Sequence, residues 1–318
     1  MTSRAKRHQN TELQVQLLRE GIAESNHIAH AVVSDSRGRI LSVAGDAETE
    51  TFVRSALKPF QALAVATTGT LERYGLDDKD LAIMCSSHKG SIEHVRQVFH
   101  ILWRADIEPT MLKCPIPEGQ DSPLRNNCSG KHAGMLAVCQ QRNWPLDSYL
   151  HRNHPVQTLI LGKVADLLGM PADEFIMAHD DCGAPTYLLQ LSQMSTLFAK
   201  LASGDSLDME RIVRAMTHHP DMVGGVDAFD TELMKLTDGE LVSKSGAEGI
   251  QCIGRVGEGL GLAVKVLDGS KRAKYAIAIH LLKQLGWILP AVAETLAETY
   301  MVLSQYKRLD VAGELSLH

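Results

Sequence analysis

The sequence predicts a mixed α/β protein of the α+β kind, with one mostly antiparallel sheet drawn from both ends of the chain and helices between. Apolar, β-branched runs bounded by turn residues cluster at residues 25–50 and again at 240–270. Between them, residues 90–235 carry mainly helical spacing of apolar positions. No linker, internal repeat or low-complexity tract divides the 318 residues, which read as one unit with a flexible start over residues 1–10.

Taken in order, His27–Val33 and Ile40–Ala44 read as strands, and Asp35-Ser36-Arg37-Gly38 between them is turn chemistry, so they form a hairpin. Ser55 opens a helix with Phe60, Leu63, Ala64 and Thr67 on one face, ending near Gly69. Leu81–Cys85 reads as a short buried strand. Ile92–Ala105 reads as an amphipathic helix through Val95, Val98, Phe99, Leu102 and Trp103. Cys114–Pro123, with three prolines and a glycine, reads as a loop. Helices are expected over Cys128–Gln141, His154–Leu168 and Thr186–Ala202, the last placed between Pro185 and Gly204. Asp205 and Ser206 cap another helix that runs to about His218. Beyond Gly239, Leu241–Ser243, Ile250–Ile253 and Leu262–Leu267 read as strands. Helices from Lys271 to about Leu285 and from Pro290 to about Tyr306 close the chain.

A net charge of -6 lacks the basic face that nucleic acid requires. The basic start, Met1 to Arg7, is followed by no apolar h-region, so no secretory signal is read. The longest apolar stretch, Ala276–Leu289, is interrupted by His280, Lys283 and Gln284 and falls short of the roughly 20 residues of a membrane helix. These readings predict a soluble, cytoplasmic protein. Its six cysteines are then expected as thiols, with Cys139 and Cys252 as small core residues.

Ser-x-x-Lys occurs four times, at Ser3–Lys6, Ser55–Lys58, Ser86–Lys89 and Ser304–Lys307. Only Ser55 opens a helix with an apolar face directly after a hairpin, which puts Lys58 one turn on along the same face. Burial there would lower the lysine pKa toward that of a general base. Later, Lys244-Ser245-Gly246 falls on a predicted strand. The order Ser-x-x-Lys, Ser-containing loop, Lys-[Ser/Thr]-Gly is that of acyl-serine enzymes of the β-lactamase and penicillin-binding type.

Cys128-x-x-Lys131 and Cys182 lie in polar, glycine-containing turns. Spacing leaves three readings open: inert buried thiols, a disulfide, or a zinc site in which lysine is an uncommon ligand. His179, His218 and His219 are assigned no metal; the last two suit a helix end. Gly257, Gly259 and Gly261 precede a strand-like run rather than a helix, which excludes a phosphate-cradling loop.

Taken together, Arg54-Ser-Ala-Leu-Lys-Pro-Phe-Gln, Cys85-Ser-Ser-His, Asn126-Asn-Cys-Ser-Gly-Lys-His-Ala-Gly-Met-Leu, Cys182-Gly-Ala-Pro and Ser243-Lys-Ser-Gly-Ala-Glu-Gly resemble the rhizobial-type (class 3, asparaginase II) L-asparaginases over residues 25–305. That resemblance implies a fold similar to serine β-lactamases and glutaminases, and hydrolysis of L-asparagine to L-aspartate and ammonia. It implies Ser55 as nucleophile with Lys58 as base, and Ser87 with Lys244 as a second pair. It further implies a zinc ion on Cys128, Lys131 and Cys182 with Asp180 beside it, and a homodimer. Arg54, Asn127 and His132 become the substrate-binding candidates, Arg54 for the α-carboxylate.

The family often carries a Thr and an Arg in the stretch matched by Gly224–Thr231, where Val226 and Ala228 stand here, and Arg125 precedes the double asparagine. Two further readings stay open: another acyl-serine amidohydrolase, acting on glutamine, a β-lactam or a peptide, and a catalytically weakened amino-acid-binding or regulatory protein.

Overall fold

The computed structural model describes residues 11–318, so the flexible start expected over residues 1–10 lies outside the described residues. Leu13–Arg19 (β1) and Ile22–Asp35 (β2) form the first hairpin, followed by Ile40–Ala44 (β3) and Glu50–Phe52 (β4). A 3-10 turn over Arg54–Leu57 leads into Lys58–Ala66 (α1), Thr70–Tyr74 (α2), Asp78–Met84 (α3) and Ile92–Arg104 (α4). The middle of the chain supplies Ser129–Arg142 (α5), Pro155–Leu168 (α6), Met177–His179 (β5), Pro185–Gln190 (β6) and Leu191–Leu201 (α7). Leu207–His218 (α8), Pro220–Val223 (α9) and Phe229–Leu236 (α10) follow. The chain closes with Leu241–Gly246 (β7), Ile250–Arg255 (β8), Leu260–Val266 (β9), Lys271–Gln284 (α11), Pro290–Tyr300 (α12), Val302–Ser304 (β10), Lys307–Ala312 (β11) and Ser316–Leu317 (β12).

The main sheet runs β10-β11-β1-β2-β9-β8-β7, with β3 on β2 and β12 on β3. Each of these pairings is antiparallel. Both faces of its centre are buried, and side-chain alternation divides them. Val32, Cys252 and Ala263 point into one core with Leu197, Phe198 and Leu201 of α7. Ala31, Val33, Ile253, Leu262 and Val264 point into the other, with Ala273, Ile277 and Leu281 of α11. Helix α7 crosses β9 closely because Gly261 has no side chain there. A Cβ at that position would lie 2.0 Å from the Ser195 carbonyl oxygen. A small second sheet, β4-β6-β5, ties the segment after β3 to the chain before α7.

Both predicted strand clusters and most helices stand where expected, and the differences that bear on the sheet are these. Leu81–Cys85 is the end of helix α3, because Asp77 accepts from the Lys79 and Asp80 backbone N–H groups and starts a helix ahead of the apolar run. Pro185–Gln190 is strand β6, paired to β4 and β5, and the helix begins only at Leu191. The last helix stops at Tyr300, and the residues after it return as β10 and β11. Strand β1, not foreseen, alternates buried Leu13, Val15 and Leu17 with Gln14 and Gln16 and accepts β11 on its outer edge.

Candidate active site

Three chain segments meet at the β7 edge of the sheet: the 3-10 turn before α1, the loop after α3, and the turn before α5. The Val53 N–H donates to the Tyr187 carbonyl and anchors the first segment to β6, while the Ser87 N–H donates to the Val223 carbonyl and anchors the second to α9. Gly130, in the first turn of α5, holds the third against α3, since a Cβ there would lie 2.0 Å from the Ile83 carbonyl oxygen. The resulting cleft of about 710 Å³ is lined by Ser55, Ser87, Asn127, Ser245 and Gly246 at one end.

Lys58 and Lys244 have no solvent exposure at all, although lysine is among the residues least often fully buried. Lys58 Nζ donates to the Ser86 carbonyl at 2.5 Å, Ser87 Oγ at 3.0 Å and the Asn127 carbonyl at 3.3 Å. Lys244 Nζ donates to Ser87 Oγ at 2.9 Å and the Ser245 carbonyl at 2.8 Å. One hydroxyl therefore sits between two amines. Burial pulls Lys58 below its ordinary value, opposed by the Cys128 sulfur and assisted by Lys131. Burial likewise drives Lys244 down to about 7, against the attraction of Asp230 and with help from Lys58 and Lys274. An amine neutral near pH 7 can accept the proton of the hydroxyl it touches. The sequence expectation that Lys58 faces Ser55 differs from this geometry. No hydrogen bond joins Ser55 Oγ to Lys58 among the described residues, because Lys58 begins α1 and reaches across to Ser87.

Beneath the Lys58 amine, Cys128, Lys131, Cys182 and Asp180 gather from the start of α5 and the turn between β5 and β6. All six cysteines are free and buried. Cys128 and Cys182 are hydrogen-bonded to each other; that bond, with Lys58 and Lys131 close by, holds Cys128 well below the usual thiol range and raises Cys182. The pair thus shares one negative charge. Burial opposes the charge on Lys131, yet both sulfurs and Asp180 outweigh it and hold its amine above the ordinary value. Lys131 Nζ lies 3.7 Å from Asp180 Oδ2. Two sulfurs and an amine nitrogen converging in a buried pocket suit a borderline-soft cation such as zinc once Lys131 and Cys182 give up their protons, since only the deprotonated donors ligate. Among the described residues no group of three or more His, Cys, Asp or Glu forms a metal cluster, and this set reaches three donors only through the lysine.

Two of the substrate-binding candidates are otherwise engaged. Arg54, in the left-handed backbone region at φ 51°, donates to Asp180 Oδ1 at 2.7 Å and Asp181 Oδ2 at 2.5 Å. It does not line the cleft. To read a substrate carboxylate it would have to leave both partners. His132 is fully buried, with Nδ1 2.6 Å from the Tyr149 hydroxyl, and belongs to the packing under α5. Asn127 does line the cleft. Ala228 stands on its wall, Lys89 donates to the Val226 carbonyl, and Lys271 lines the mouth. Arg272, also at the mouth, donates to His27 and Ser25.

Asp230 is the residue that sequence reasoning passed over. It is buried in the first turn of α10 and accepts from Ser243 Oγ and Gln251 Nε2 on one oxygen and from the Ser245 N–H and Oγ on the other. Lys244 Nζ lies 3.9 Å away. The stretch Gly224–Thr231 draws notice in the sequence only for what stands in place of a threonine and an arginine. The one available signal was Ser243-Lys244-Ser245 itself, two hydroxyls flanking a buried ammonium, which calls for an anion that only the fold identifies.

The family model described as L-asparaginase II matches residues 15–317. No match is found among curated proteins. Among solved structures, Mglu in its native form is similar at 16% identity, with 82% of this chain and 64% of that chain covered and a TM-score of 0.46. This chain therefore spans a little under two thirds of the length of Mglu. A β-lactamase from Mycobacterium bovis is similar at 12% identity, with 86% and 95% coverage and a TM-score of 0.38.

Proposed function

The chain belongs to the L-asparaginase II family, a family of amidohydrolases acting on asparagine, and on that premise we propose that it hydrolyses L-asparagine to L-aspartate and ammonia through a serine acyl-enzyme. The observation that carries this reading is Ser87 Oγ held between two fully buried lysine amines at the floor of a cleft that Ser55 also lines. A pair of buried amines beside two hydroxyls supplies bases without histidine.

In this reading Ser55 Oγ attacks the side-chain amide carbon as its proton passes to the Lys58 amine. Apo contacts of this kind tighten on substrate binding. The Ser55 N–H and the cleft edge of β7 after Lys244 face the oxyanion. Ser245 N–H already donates to Asp230, which leaves that role to the chain beyond it. The Ser87 hydroxyl, replenished by the Lys58 ammonium that took the Ser55 proton, gives a proton to the leaving nitrogen, so the C–N bond breaks with release of ammonia. Water then attacks the ester carbon as its proton passes through Ser87 to the Lys244 amine, and that proton returns to Ser55 Oγ as the ester bond breaks and aspartate leaves. Asn127 orients the substrate, and Lys89 and Lys271 are the cleft cations nearest in kind to an α-carboxylate partner.

Cys128, Lys131 and Cys182 would hold a zinc ion with Asp180 beside it, and its charge would orient the substrate and tune nearby pKa values. Metal analysis of the purified protein is expected to find zinc that Cys182→Ser loses. Zinc retained by that variant overturns the assignment. A homodimer in the cytoplasm belongs to the same reading; the dimer is checked by sedimentation velocity, and six thiols suit a reducing compartment.

Ammonia release from asparagine, glutamine and a β-lactam-free control tests the activity. Asparagine is expected to be turned over, with Ser55→Ala reduced about 1,000-fold or more. No turnover by the parent chain would leave the binding or regulatory reading, and preferred release from glutamine would leave the glutaminase one. The double lysine contact at Ser87 favours a second reading, in which Ser87 is the nucleophile. Mass spectrometry of a trapped acyl adduct decides, since the modified peptide contains either Ser55 or Ser87.

A further inference from the structure

Asp230 lies outside every motif that named the site, yet its carboxylate is saturated. Four donors at 2.7–2.9 Å use the capacity of both oxygens. Three of those donors come from Ser243 and Ser245, the residues on either side of Lys244. The fourth, Gln251 Nε2, also donates to Ser243 Oγ at 2.9 Å and links the arrangement to β8. From α11, Lys274 donates to the Gly246 carbonyl at 2.6 Å and the Ile250 carbonyl at 3.1 Å. The edge strand that carries Lys244 is thus gripped at 243, 245 and 246, and the cleft wall at Ser245 and Gly246 is fixed with it.

Charge gives the same residue a second task. Lys244 is faced by Asp230 from α10, Lys58 from α1, Lys274 from α11, Cys128 before α5 and Cys85 after α3. Burial pushes the Cys85 thiol up to about 12, so it stays neutral. Asp230 is the carboxylate set against this group of amines, and its own pKa is held low, with Lys244 and its hydrogen bonds overcoming burial.

We infer that Asp230 is a positioning residue of the active site, which fixes the Lys244 amine against Ser87 by clamping Ser243 and Ser245 and balances the charge that Lys244 acquires during turnover. This rests on the Ser–Lys reading above. The hydroxyls and the β7 N–H stay in register only while one anion accepts from all of them. A neutral amide in its place turns two donors toward Ser245, which already donates.

The test is the pH profile of asparagine hydrolysis by Asp230→Asn, with Lys244→Met and Ser243→Ala beside it. For Asp230→Asn, kcat is expected to fall about 30-fold or more with KM within about threefold, as for loss of preorganised geometry. The acidic limb of kcat/KM is expected about one pH unit lower, because Lys244 loses its anion and deprotonates more readily. A folded Asp230→Asn with parental kcat and an unmoved limb overturns the inference, as does a fall in kcat with an unmoved limb, which is what a purely structural staple gives. If Asp230→Asn does not fold, Ser243→Ala, which removes one clamp and touches no cleft surface, decides: a severalfold lower kcat at parental KM together with a displaced acidic limb supports the inference, and a parental kcat or an unmoved limb overturns it. Lys244→Met separates the two levels. Activity retained there sinks the Ser–Lys reading, whereas activity lost there but kept in Asp230→Asn sinks only the role of Asp230.

Discussion

Lys58 and Lys244 carry amines to a place water does not reach, and the chemistry of the site follows from that cost. An ammonium without solvent is expensive unless anions surround it, so part of the cost is relieved by losing the proton. For Lys244 the folded value of about 7 lies below the ordinary 10.5. The unfolded chain therefore binds the extra proton between those two pH values. Stability from this group is complete above about pH 10.5 and is lost as pH falls through about 7. Lys244→Met is accordingly expected to raise Tm at pH 6 relative to the parent while abolishing ammonia release. A lower Tm at that pH in calorimetry contradicts the assignment. The same value predicts that kcat/KM of the parent rises with pH through an acidic limb near 7.

The elements around the site hold it by close approach rather than by large apolar contact. The Asn126–His132 run is specific because it does two things in one turn of helix. It delivers the Asn127 carbonyl to Lys58, and it lets α5 lie directly on the end of α3 at Gly130. Gly130→Ala must push α5 away from the Ile83 carbonyl, and is expected to cost about 1–3 kcal/mol in chemical denaturation and to lower kcat by displacing Asn127. An unchanged denaturation midpoint would place the contact elsewhere. The turn between β5 and β6 is fixed in a similar way, by Arg54 spanning to Asp180 and Asp181. A residue that reads in sequence as a substrate clamp is, at the level of elements, a tie between the nucleophile turn and the cysteine turn.

For the molecule as a whole, Cys128 with Lys131 and Cys182 lie on segments far apart in sequence, so a cation bound by all three would act as a cross-link between α5 and the small sheet. A ligand that binds only the folded state stabilises it by mass action. Chelation is expected to lower Tm of the parent and to leave Tm of Cys182→Ser unchanged, read by calorimetry with and without chelator. A parental Tm unaffected by chelator argues against the cross-link. Among the described residues no helix is long and apolar enough to cross a membrane.

How much of this was legible beforehand depended on the range of the interaction. Local patterns announced the α+β class, the β2–β3 hairpin, the late strands and the helices α4, α5, α6, α8 and α11, because apolar period and capping residues act within a few positions. Ser55, Lys58 and Lys244 were likewise named from order and spacing, whereas Ser87, Cys128, Lys131 and Cys182 took their roles from the family resemblance. Strand β1 and strand β6 were not, since pairing on both edges, with β2 and β11 for the one and β4 and β5 for the other, rather than propensity makes them strands. The direction of Lys58 toward Ser87, the engagement of Arg54 by two carboxylates, the burial of His132 and the grip of Asp230 on β7 were decided only in three dimensions. Sequence determines which chemical groups are present and their local conformation. Which amine meets which hydroxyl is a matter of distances set by how separate segments pack, as the Lys244–Ser87 contact, 157 residues apart in the chain, illustrates.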